Sequence, residues 1–225
     1  MRVEQAVRTR KATRAMLSTP LSEQEIRELL ELAARAPSWA NSQPWQVYVA
    51  TAEKLTRLKA RWRQEFSQGI PAARPDIPAP GHGDWAEAPR CTENILRLKQ
   101  HRLEAMAGSK EQFDQQTMER MLDFYGAPVC VYLGLPRRLG AYSFYDVGAF
   151  GQTLMLAAAE RGIQSMPAFS LVYFGDILHQ ELGVPEDISV FMGICLGYAD
   201  ETHPMNRFDS ERMPRGQFMH HCSGE

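Results

Sequence analysis

The residues with the clearest chemical potential form a cationic group near the amino terminus. The group consists of Arg8, Arg10, Lys11 and Arg14. Arg10 and Arg14 are four residues apart, so a helix in this segment places them on one face. Such a group suits a phosphate monoester, whose charge near neutral pH is about −1.5 to −2, and forked arginine donors match phosphate oxygens. The alternative interpretation, favoured for this feature alone, is a solvated basic face.

A second candidate is the short loop APSWANSQPW at residues 36–45. Two prolines stiffen the loop, and Ser38, Asn41 and Gln43 bring hydrogen-bond donors and acceptors close together. Neutral polar groups beside apolar walls suit the ring of a bound ligand. The alternative is an ordinary helix-to-strand turn, in which Ser and Asn side chains bond the local backbone.

Two later segments are weaker candidates. The sequence SMPAFS at residues 165–170 is predicted to be a proline-containing connection, which could present backbone N–H groups to the edge of a ring. The sequence PMNR at residues 204–207 contributes one cation after the last predicted strand. The alternatives are a plain connection and a polar tail.

Several kinds of site lack their usual signatures. The sequence contains no GxGxxG, GxxxxGK[ST], GxSxG or HExxH motif. It has four cysteines but no CxxC pair, and Cys130 and Cys195 lie in apolar runs where buried, reduced thiols are expected. His220, His221 and Cys222 have metal-binding side chains, but a polar tail is the simpler interpretation. We therefore expect no metal site.

Composition and charge predict a cytoplasmic globular protein. Hydrophobic residues make up 44% of the 225 residues, enough for a core without disulfides or metal. The net charge of −2 argues against nucleic-acid binding, which needs many cations on one surface. No apolar stretch reaches the roughly 18 residues of a membrane span, and the amino terminus lacks the apolar stretch of a secretory signal. We expect no membrane partner.

The spacing of apolar residues predicts an α+β domain with many helices and few strands, covering residues 1–225. Ser22 and Glu25 have capping-box spacing, and the apolar residues that follow lie on one helical face. Helices are predicted at 3–8, 22–36, 51–66, 92–107, 109–125, 146–161 and 175–182. Strands are predicted at 45–50, 128–135 and 188–198.

Three segments have unusual composition. Residues 67–91 contain five prolines and three glycines, which predicts a lid, a binding loop or disorder, with Trp85 and His82 as candidates for shaping a ligand space. Residues 199–225 contain few apolar side chains and are predicted to form an extended carboxy-terminal arm. The helix at 146–161 is apolar nearly all round, so we expect a subunit interface there.

Taken together and in this order, the candidate segments resemble the nitroreductase family. RKATRAM at 10–16 is similar to the family's Arg-Arg-Ser-x-Arg-x-Phe-like opening, and residues 36–45 match its APSxxNxQPW loop almost in full. Residues 165–170 resemble its proline-containing segment, and GYAD at 197–200 with PMNR at 204–207 resemble its close. Residues 60–125 carry little recognisable signal.

The resemblance implies a fold and an activity. The fold is α+β and nitroreductase-like, with a central, mostly antiparallel sheet flanked by helices in an intertwined homodimer. Two tightly bound FMN molecules lie at the subunit interface. The implied enzyme transfers electrons from NAD(P)H, its co-substrate, to a small organic acceptor such as a nitroaromatic or a quinone in a two-step exchange. Because the flavin carries the chemistry, no catalytic side chain is implied.

The resemblance also implies cofactor-binding residues. The FMN phosphate is expected at the first segment and the last one, at Arg10, Lys11, Ala12, Arg14 and Arg207, with Asn206 assisting Arg207. The loop that reaches the flavin of the partner subunit supplies Pro37, Ser38, Trp39 and Asn41. The residues expected along the isoalloxazine, with a backbone N–H near its reactive nitrogen, are Pro167, Ala168, Phe169 and Ser170.

Three positions depart from the family pattern. Ala12 stands where the family usually has Ser, which removes one hydroxyl contact to the phosphate. Met16 replaces a usual Phe, which is a tolerable apolar exchange. Phe169 stands where many members have Glu or Gln beside the flavin, which makes the expected pocket more apolar. The substrate of a relative therefore does not transfer directly to this chain.

Three alternative functions remain open from the sequence. The first keeps the fold and FMN but changes the reaction to dehalogenation, azoline oxidation or flavin cleavage. The second is a flavin-binding or flavin-delivering protein with no catalytic activity. The third, from a different class, is a helical interaction protein in which the cations at 8–14 bind an acidic partner.

Overall fold

The computed structural model describes residues 2–80, 84–85, 87–106 and 108–223, so His82 lies outside the described residues. Within these ranges the chain forms seven α-helices and four β-strands, which confirms the α+β class. The helices are α1 Val3–Thr9, α2 Glu23–Ala33, α3 Ala52–Phe66, α4 Pro89–Met106, α5 Lys110–Leu122, α6 Ala141–Glu160 and α7 Gly175–Leu182. The strands are β1 Gln46–Thr51, β2 Val129–Pro136, β3 Gln164–Ala168 and β4 Ile188–Gly197.

The four strands form one antiparallel sheet in the order β1-β2-β4-β3. Cys130 pairs with Cys195 across its centre, and Ser165 pairs with Leu196 beside the β3 edge. The register shifts once, between Leu133 and Gly134. Because β3 is an edge strand, one of its sides is open to another segment of the chain.

The sheet separates two hydrophobic cores. Cys130 and Tyr132 of β2 face the core covered by α3 and α7, whereas Val131 and Leu133 face the core covered by α2 and α6. Seven of the eight residues of β2 are buried, which confirms the prediction of a strand buried on both faces. Cys130 and Cys195 are buried free thiols, as expected, with their Sγ atoms 3.1 Å apart.

Two helices begin at the capping boxes present in the sequence. The N–H of Glu25 donates to Ser22 Oγ at 3.2 Å, and the N–H of Ser22 donates to Glu25 Oε2 at 2.8 Å. Ser109 and Gln112 make the same reciprocal pair at 3.3 and 3.0 Å. Each pair satisfies two backbone donors that the first helical turn leaves without partners.

Several helix boundaries differ from the predictions. Helix α6 begins at Ala141, five residues before the predicted start, and α4 begins at Pro89 rather than at residue 92. A proline suits the first turn of a helix because its missing N–H has no partner there in any case. Helix α5 ends at Leu122 because Phe124, Tyr125 and Gly126 have φ angles of +49°, +60° and +79°.

One strand was not predicted at all. The sequence of residues 165–170 indicates a plain connection, but Gln164–Ala168 is the edge strand β3. Pro167 lies opposite Ile194 of β4. Proline removes a donor from a central strand, but an edge strand tolerates it, so the proline was not evidence against a strand at this place.

Helix α6 has one buried face and one open face. Val147, Phe150 and Leu154 pack in the core, whereas Tyr142 and Tyr145 are 77% and 74% exposed. Within one chain this helix is therefore not enclosed on all sides. The expectation of an enclosed helix would be met only if a second chain covered the open face. No helix among the described residues is both long and apolar enough to cross a membrane.

Candidate functional site

Residues 10–16, called the cationic segment below, lie beside β3 as an extended chain. Ala12 forms a parallel bridge with Ser165, and the N–H of Thr13 donates to the Ser165 carbonyl at 2.9 Å. The prediction that Arg10 and Arg14 share a helical face was therefore wrong. They still lie on one side because side chains alternate in extended chain, and Thr13 between them is buried. Ala12 lies on the same side and presents only a methyl group.

Asn206 holds this segment in place. Its Oδ1 accepts from the N–H groups of Arg14 and Ala15 at 2.9 and 3.2 Å. Its Nδ2 donates to the carbonyls of Ala15 and Asp200 at 2.6 and 2.9 Å. The side chain is buried and fully occupied by backbone groups. Asn206 can therefore position the segment but has no free donor for a ligand.

Arg10 and Arg14 carry charges that nothing nearby neutralises. In the ranges that the structure describes, no carboxylate lies within 4 Å of either guanidinium. Burial lowers the pKa of Arg14 to about 10, and Arg102 adds a smaller effect. Burial also lowers the pKa of Arg10, helped by Arg212. Both side chains stay protonated near pH 7, so an anion between them would be stabilised.

The other two expected cations are placed differently. Lys11 Nζ donates to the Asn206 carbonyl at 3.0 Å and pairs with the exposed Asp209 at 3.1 Å. Arg207 is exposed, and its Nη2 donates to the Thr202 carbonyl at 2.8 Å. No hydrogen bond between described residues joins Arg207 to Arg10 or Arg14. The structure therefore keeps Arg10 and Arg14 on one side of the segment, whereas Lys11 Nζ and the Arg207 head group are bonded to backbone carbonyls elsewhere.

The turn after β3 is held from two sides. The hydroxyls of Ser170 and Tyr125 are 3.2 Å apart, and Trp62 Nε1 donates to the Ser170 carbonyl at 2.9 Å. The Phe169 ring packs edge-on against Tyr173, with the ring centroids 5.7 Å apart. Ala168 has its side chain in the core, so it can offer a ligand only its backbone. Pro167 is partly exposed.

Tyr125 joins this turn to the cationic segment. Its carbonyl accepts from the N–H of Met16 at 2.8 Å, while its hydroxyl reaches Ser170. Burial raises the pKa of the Tyr125 hydroxyl, and Ser170, Arg14 and Arg102 partly offset that effect. The two segments expected at the phosphate and at the ring are thus neighbours within one chain.

The loop at 36–45 is strained and open. Ala40, Asn41 and Gln43 have φ angles of +48°, +59° and +46°, which non-glycine residues rarely adopt and which are concentrated at ligand sites. Gln43 donates its N–H to Ser38 Oγ at 3.0 Å. The Trp39 side chain is 69% exposed. The Ser38 bond is the local contact that the alternative interpretation predicts, whereas three positive φ angles at non-glycine residues are not expected of an ordinary turn.

The same loop lies apart from the cationic segment. The N–H of Trp39 donates at 3.1 Å to Asp146, a buried residue of α6, so the loop packs against that helix. No hydrogen bond or ion pair in the described part of the chain joins Pro37, Ser38 or Asn41 to Arg10–Arg14 or to residues 167–170. Within one chain, these loop residues do not complete the site.

The first part of the proline-rich segment lies along the turn after β3. The N–H of Arg74 donates to the Tyr173 carbonyl at 2.8 Å, and the N–H of Gly175 donates to the Arg74 carbonyl at 2.9 Å. The Tyr173 hydroxyl donates to the Pro71 carbonyl at 3.3 Å. Trp85 is half-buried, and its carbonyl accepts from the Thr92 hydroxyl at 2.9 Å.

Sequence reasoning missed Tyr125, Arg102 and Arg212. All three lie outside the four matched segments, and no motif or spacing distinguishes them in the sequence. The only usable signal was compositional, because Tyr125 precedes a Gly-Ala-Pro turn at the start of β2. Their relation to Arg10 and Arg14 depends on tertiary packing, which single-sequence patterns do not reveal.

Comparisons with known proteins agree with the fold. The model of the nitroreductase family matches residues 7–198. A nitrobenzene nitroreductase of Ectopseudomonas oleovorans is 30% identical over 219 residues, covering 96% of this chain and 95% of that protein. A 4-nitrobenzoate reductase of Pseudomonas putida is 32% identical over 216 residues, covering 93% and 89%.

A solved structure gives the same result in three dimensions. It is the FMN-dependent nitroreductase NfnB of Mycobacterium smegmatis in complex with NADPH. It superposes with a TM-score of 0.89 at 30% identity, covering 98% of this chain and 97% of that one. The similarity extends over almost the whole length of both chains, including the segments that sequence reasoning left without a match.

Proposed function

Because this chain belongs to the nitroreductase family, we propose that it is an FMN-dependent oxidoreductase that passes electrons from NAD(P)H to nitroaromatic acceptors. The observation that carries the proposal is the pair of uncompensated cations, Arg10 and Arg14, beside the fixed turn after β3. The relatives named for nitrobenzene and 4-nitrobenzoate support the acceptor class. The NADPH complex of NfnB favours NADPH as the donor.

The residues present fit the phosphate end of FMN. A phosphate monoester near neutral pH carries about −1.5 to −2 charges, which suits the two cations, Arg10 and Arg14, that are held without acidic partners. Arg10 and Arg14 supply forked donors from one side of the extended segment, and Lys11 adds a point charge. Arg207 joins them by rotating its side chain away from Thr202, while Asn206 keeps the segment in register. Ala12 provides space rather than a hydroxyl contact.

The turn after β3 fits the ring end. Bound FMN supplies the hydride and electron transfer, and the protein supplies position and electrostatics. The bonds from Tyr125 and Trp62 hold Ser170, and pairing with β4 holds Pro167 and Ala168, so the backbone of this turn needs little reorganisation. Phe169 gives the site an apolar wall that excludes water, in place of the polar side chain of many relatives. The adjoining segment 67–91 shapes the space for the acceptor.

A second copy of the chain completes the site in this proposal. The loop with Pro37, Ser38, Trp39 and Asn41 packs against α6, away from the cations of its own chain. Pairing two chains across the exposed Tyr142 and Tyr145 would bury the open face of that helix. It would also bring each loop to the flavin of the partner subunit. We therefore propose a homodimer with two cofactor sites.

The visible spectrum of the purified protein tests the proposal. We expect flavin absorption bands, their bleaching by NADPH without oxygen, and their return on adding nitrobenzene or 4-nitrobenzoate. A colourless protein that FMN does not stabilise against heat would contradict cofactor binding. A yellow protein that does not oxidise NADPH would instead be a non-catalytic flavin-binding protein. If an acceptor screen yields turnover only with compounds that lack a nitro group, a different flavin reaction would be assigned.

A further inference from the structure

Arg102 is a cation on α4. It lies outside the four sequence segments that resemble motifs of the family. Its guanidinium lies over the ring of Phe113 on α5, 5.1 Å from the ring centroid. The ring therefore holds the guanidinium in place, and the side chain as a whole is partly buried. A cation stacked on an aromatic ring keeps its N–H donors free at its edge.

Phe208 connects Arg102 to the cationic segment. The Arg14 guanidinium lies over the Phe208 ring at 5.8 Å. Phe208 and Met205 also line a small cavity together with Arg102. Both arginines therefore border the segment that follows Asn206, on the side where the phosphate group is proposed.

Arg102 also lacks a counter-charge. Among the residues that the structure describes, no carboxylate lies within ion-pair distance of Arg102. Burial lowers the pKa of Arg102, and Arg102 in turn lowers the pKa of Arg14. Two partly buried cations with no acid between them repel each other, and an anion bound between them would remove that cost.

We propose that Arg102 is a further phosphate-binding residue, which closes the cofactor site from α4 opposite Arg14. The inference rests on the proposed function, because the phosphate is that of FMN. It predicts that α4, a helix in which no family motif was recognised from the sequence, takes part directly in cofactor binding. Arg102 donates to the phosphate oxygens, and Phe113 holds its guanidinium in place.

The test compares FMN with riboflavin, which lacks the phosphate group. The full-length chain freed of flavin is titrated with each compound, and binding is followed by quenching of flavin fluorescence. Arg102→Met keeps an unbranched aliphatic side chain at this position but removes the charged guanidinium. We expect its FMN dissociation constant to rise about 10- to 150-fold, the range for one charge-assisted hydrogen bond, and its riboflavin constant to stay unchanged. Arg102→Lys should lie in between.

The matched control is Arg138→Ala, an exposed arginine beyond the opposite end of β2 from Tyr125. It removes the same charge and should leave both constants as in the wild type. Equal weakening of FMN and riboflavin in Arg102→Met would show a structural role and overturn the inference. So would an unchanged FMN constant. If the wild type itself binds no FMN, the proposed function fails rather than the role of Arg102.

Discussion

Single residues set the charge of the site. Arg10 and Arg14 have no acidic partner among the described residues, so an anionic ligand removes an existing repulsion instead of competing with an ion pair. Arg207 differs from Arg10, because binding must first break its bond to the Thr202 carbonyl. Arg14 is intermediate, since its Nη1 donates to the Ala12 carbonyl at 3.1 Å. These arginines should therefore contribute to affinity by different amounts.

Replacing these arginines tests that difference. Arg10→Ala and Arg207→Ala each remove a charge-assisted contact, so FMN affinity should fall by about 1.5–3 kcal/mol, with Arg10→Ala at the upper end. Titration of the flavin-free proteins with FMN measures the loss. Unchanged affinity in both variants would remove these residues from the site, and a larger loss for Arg207→Ala would reverse their proposed order.

At the level of residues, the sequence was a good guide only where motifs existed. Arg10, Arg14 and Ser170 could be selected because they occur in segments with recognisable patterns. Tyr125 could not, because its importance comes from a bond to Ser170, 45 residues away along the chain. Asn206 was expected to assist Arg207, but its hydrogen bonds hold the backbone of Arg14 and Ala15, a positioning role that the sequence does not reveal.

At the scale of elements, Asp76 anchors the proline-rich segment to the rest of the fold. Its carboxylate accepts from His179 Nε2 at 2.8 Å, from the N–H of Val190 at 2.8 Å and from Arg137 Nη2 at 3.2 Å. These partners belong to α7, to β4 and to the turn after β2. One side chain thus ties a segment without regular structure to three neighbours.

Removing this carboxylate should loosen the segment. Asp76→Ala leaves the Val190 N–H and two polar side chains without an acceptor, so we expect a loss of about 2–4 kcal/mol in the free energy of unfolding. Urea unfolding measures the loss, and faster proteolysis at 67–80 should accompany it. The control Asp114→Ala removes only an exposed pair with Lys110 and should cost about 0.5 kcal/mol or less. Similar losses in both variants would contradict the anchoring role.

Gly126 shows a second constraint between elements. Its φ is +79°, and a Cβ atom there would lie 2.6 Å from the Met16 carbonyl oxygen. Gly162, with φ +75°, has no atom within 4 Å of such a Cβ. Gly162→Ala should therefore cost about 1–2 kcal/mol through backbone strain alone. Gly126→Ala should cost at least about 1 kcal/mol more, because the cationic segment must shift. Equal losses in urea unfolding would refute the close contact.

Elements were predictable where local chemistry decides them. The capping boxes at Ser22 and Ser109 and the apolar run of β2 gave elements that the structure confirms. The edge strand β3 and the extended form of residues 10–16 were not predicted, because each is defined by pairing with a distant segment. A pattern within one segment carries no information about that pairing.

For the whole molecule, the open face of α6 predicts coupling between assembly and cofactor binding. Tyr145→Glu places a charge on the proposed dimer face and should shift the protein towards monomers. FMN affinity should fall in parallel, because the loop at 37–41 of the second copy is lost. Analytical ultracentrifugation and FMN titration measure the two effects.

The control for this variant is Ile70→Glu, which introduces the same charge at a residue with similar exposure, 78% against 74%. It should leave the assembly state unchanged. Monomers of Tyr145→Glu that bind FMN as tightly as the wild type would contradict a site shared between two copies. At this scale the sequence predicted an interface helix from its apolar composition, but not which face of the helix is open.

Residues 10–16 have two roles: Ala12 and Thr13 cover the outer edge of β3 at Ser165, and Arg10, Lys11 and Arg14 supply the cations. An uncovered rim is a template on which other chains can add strands. Any substitution that detaches this segment from Ser165 would therefore both release the cofactor and promote aggregation. Loss of the yellow flavin colour should therefore be an early sign of aggregation of this protein.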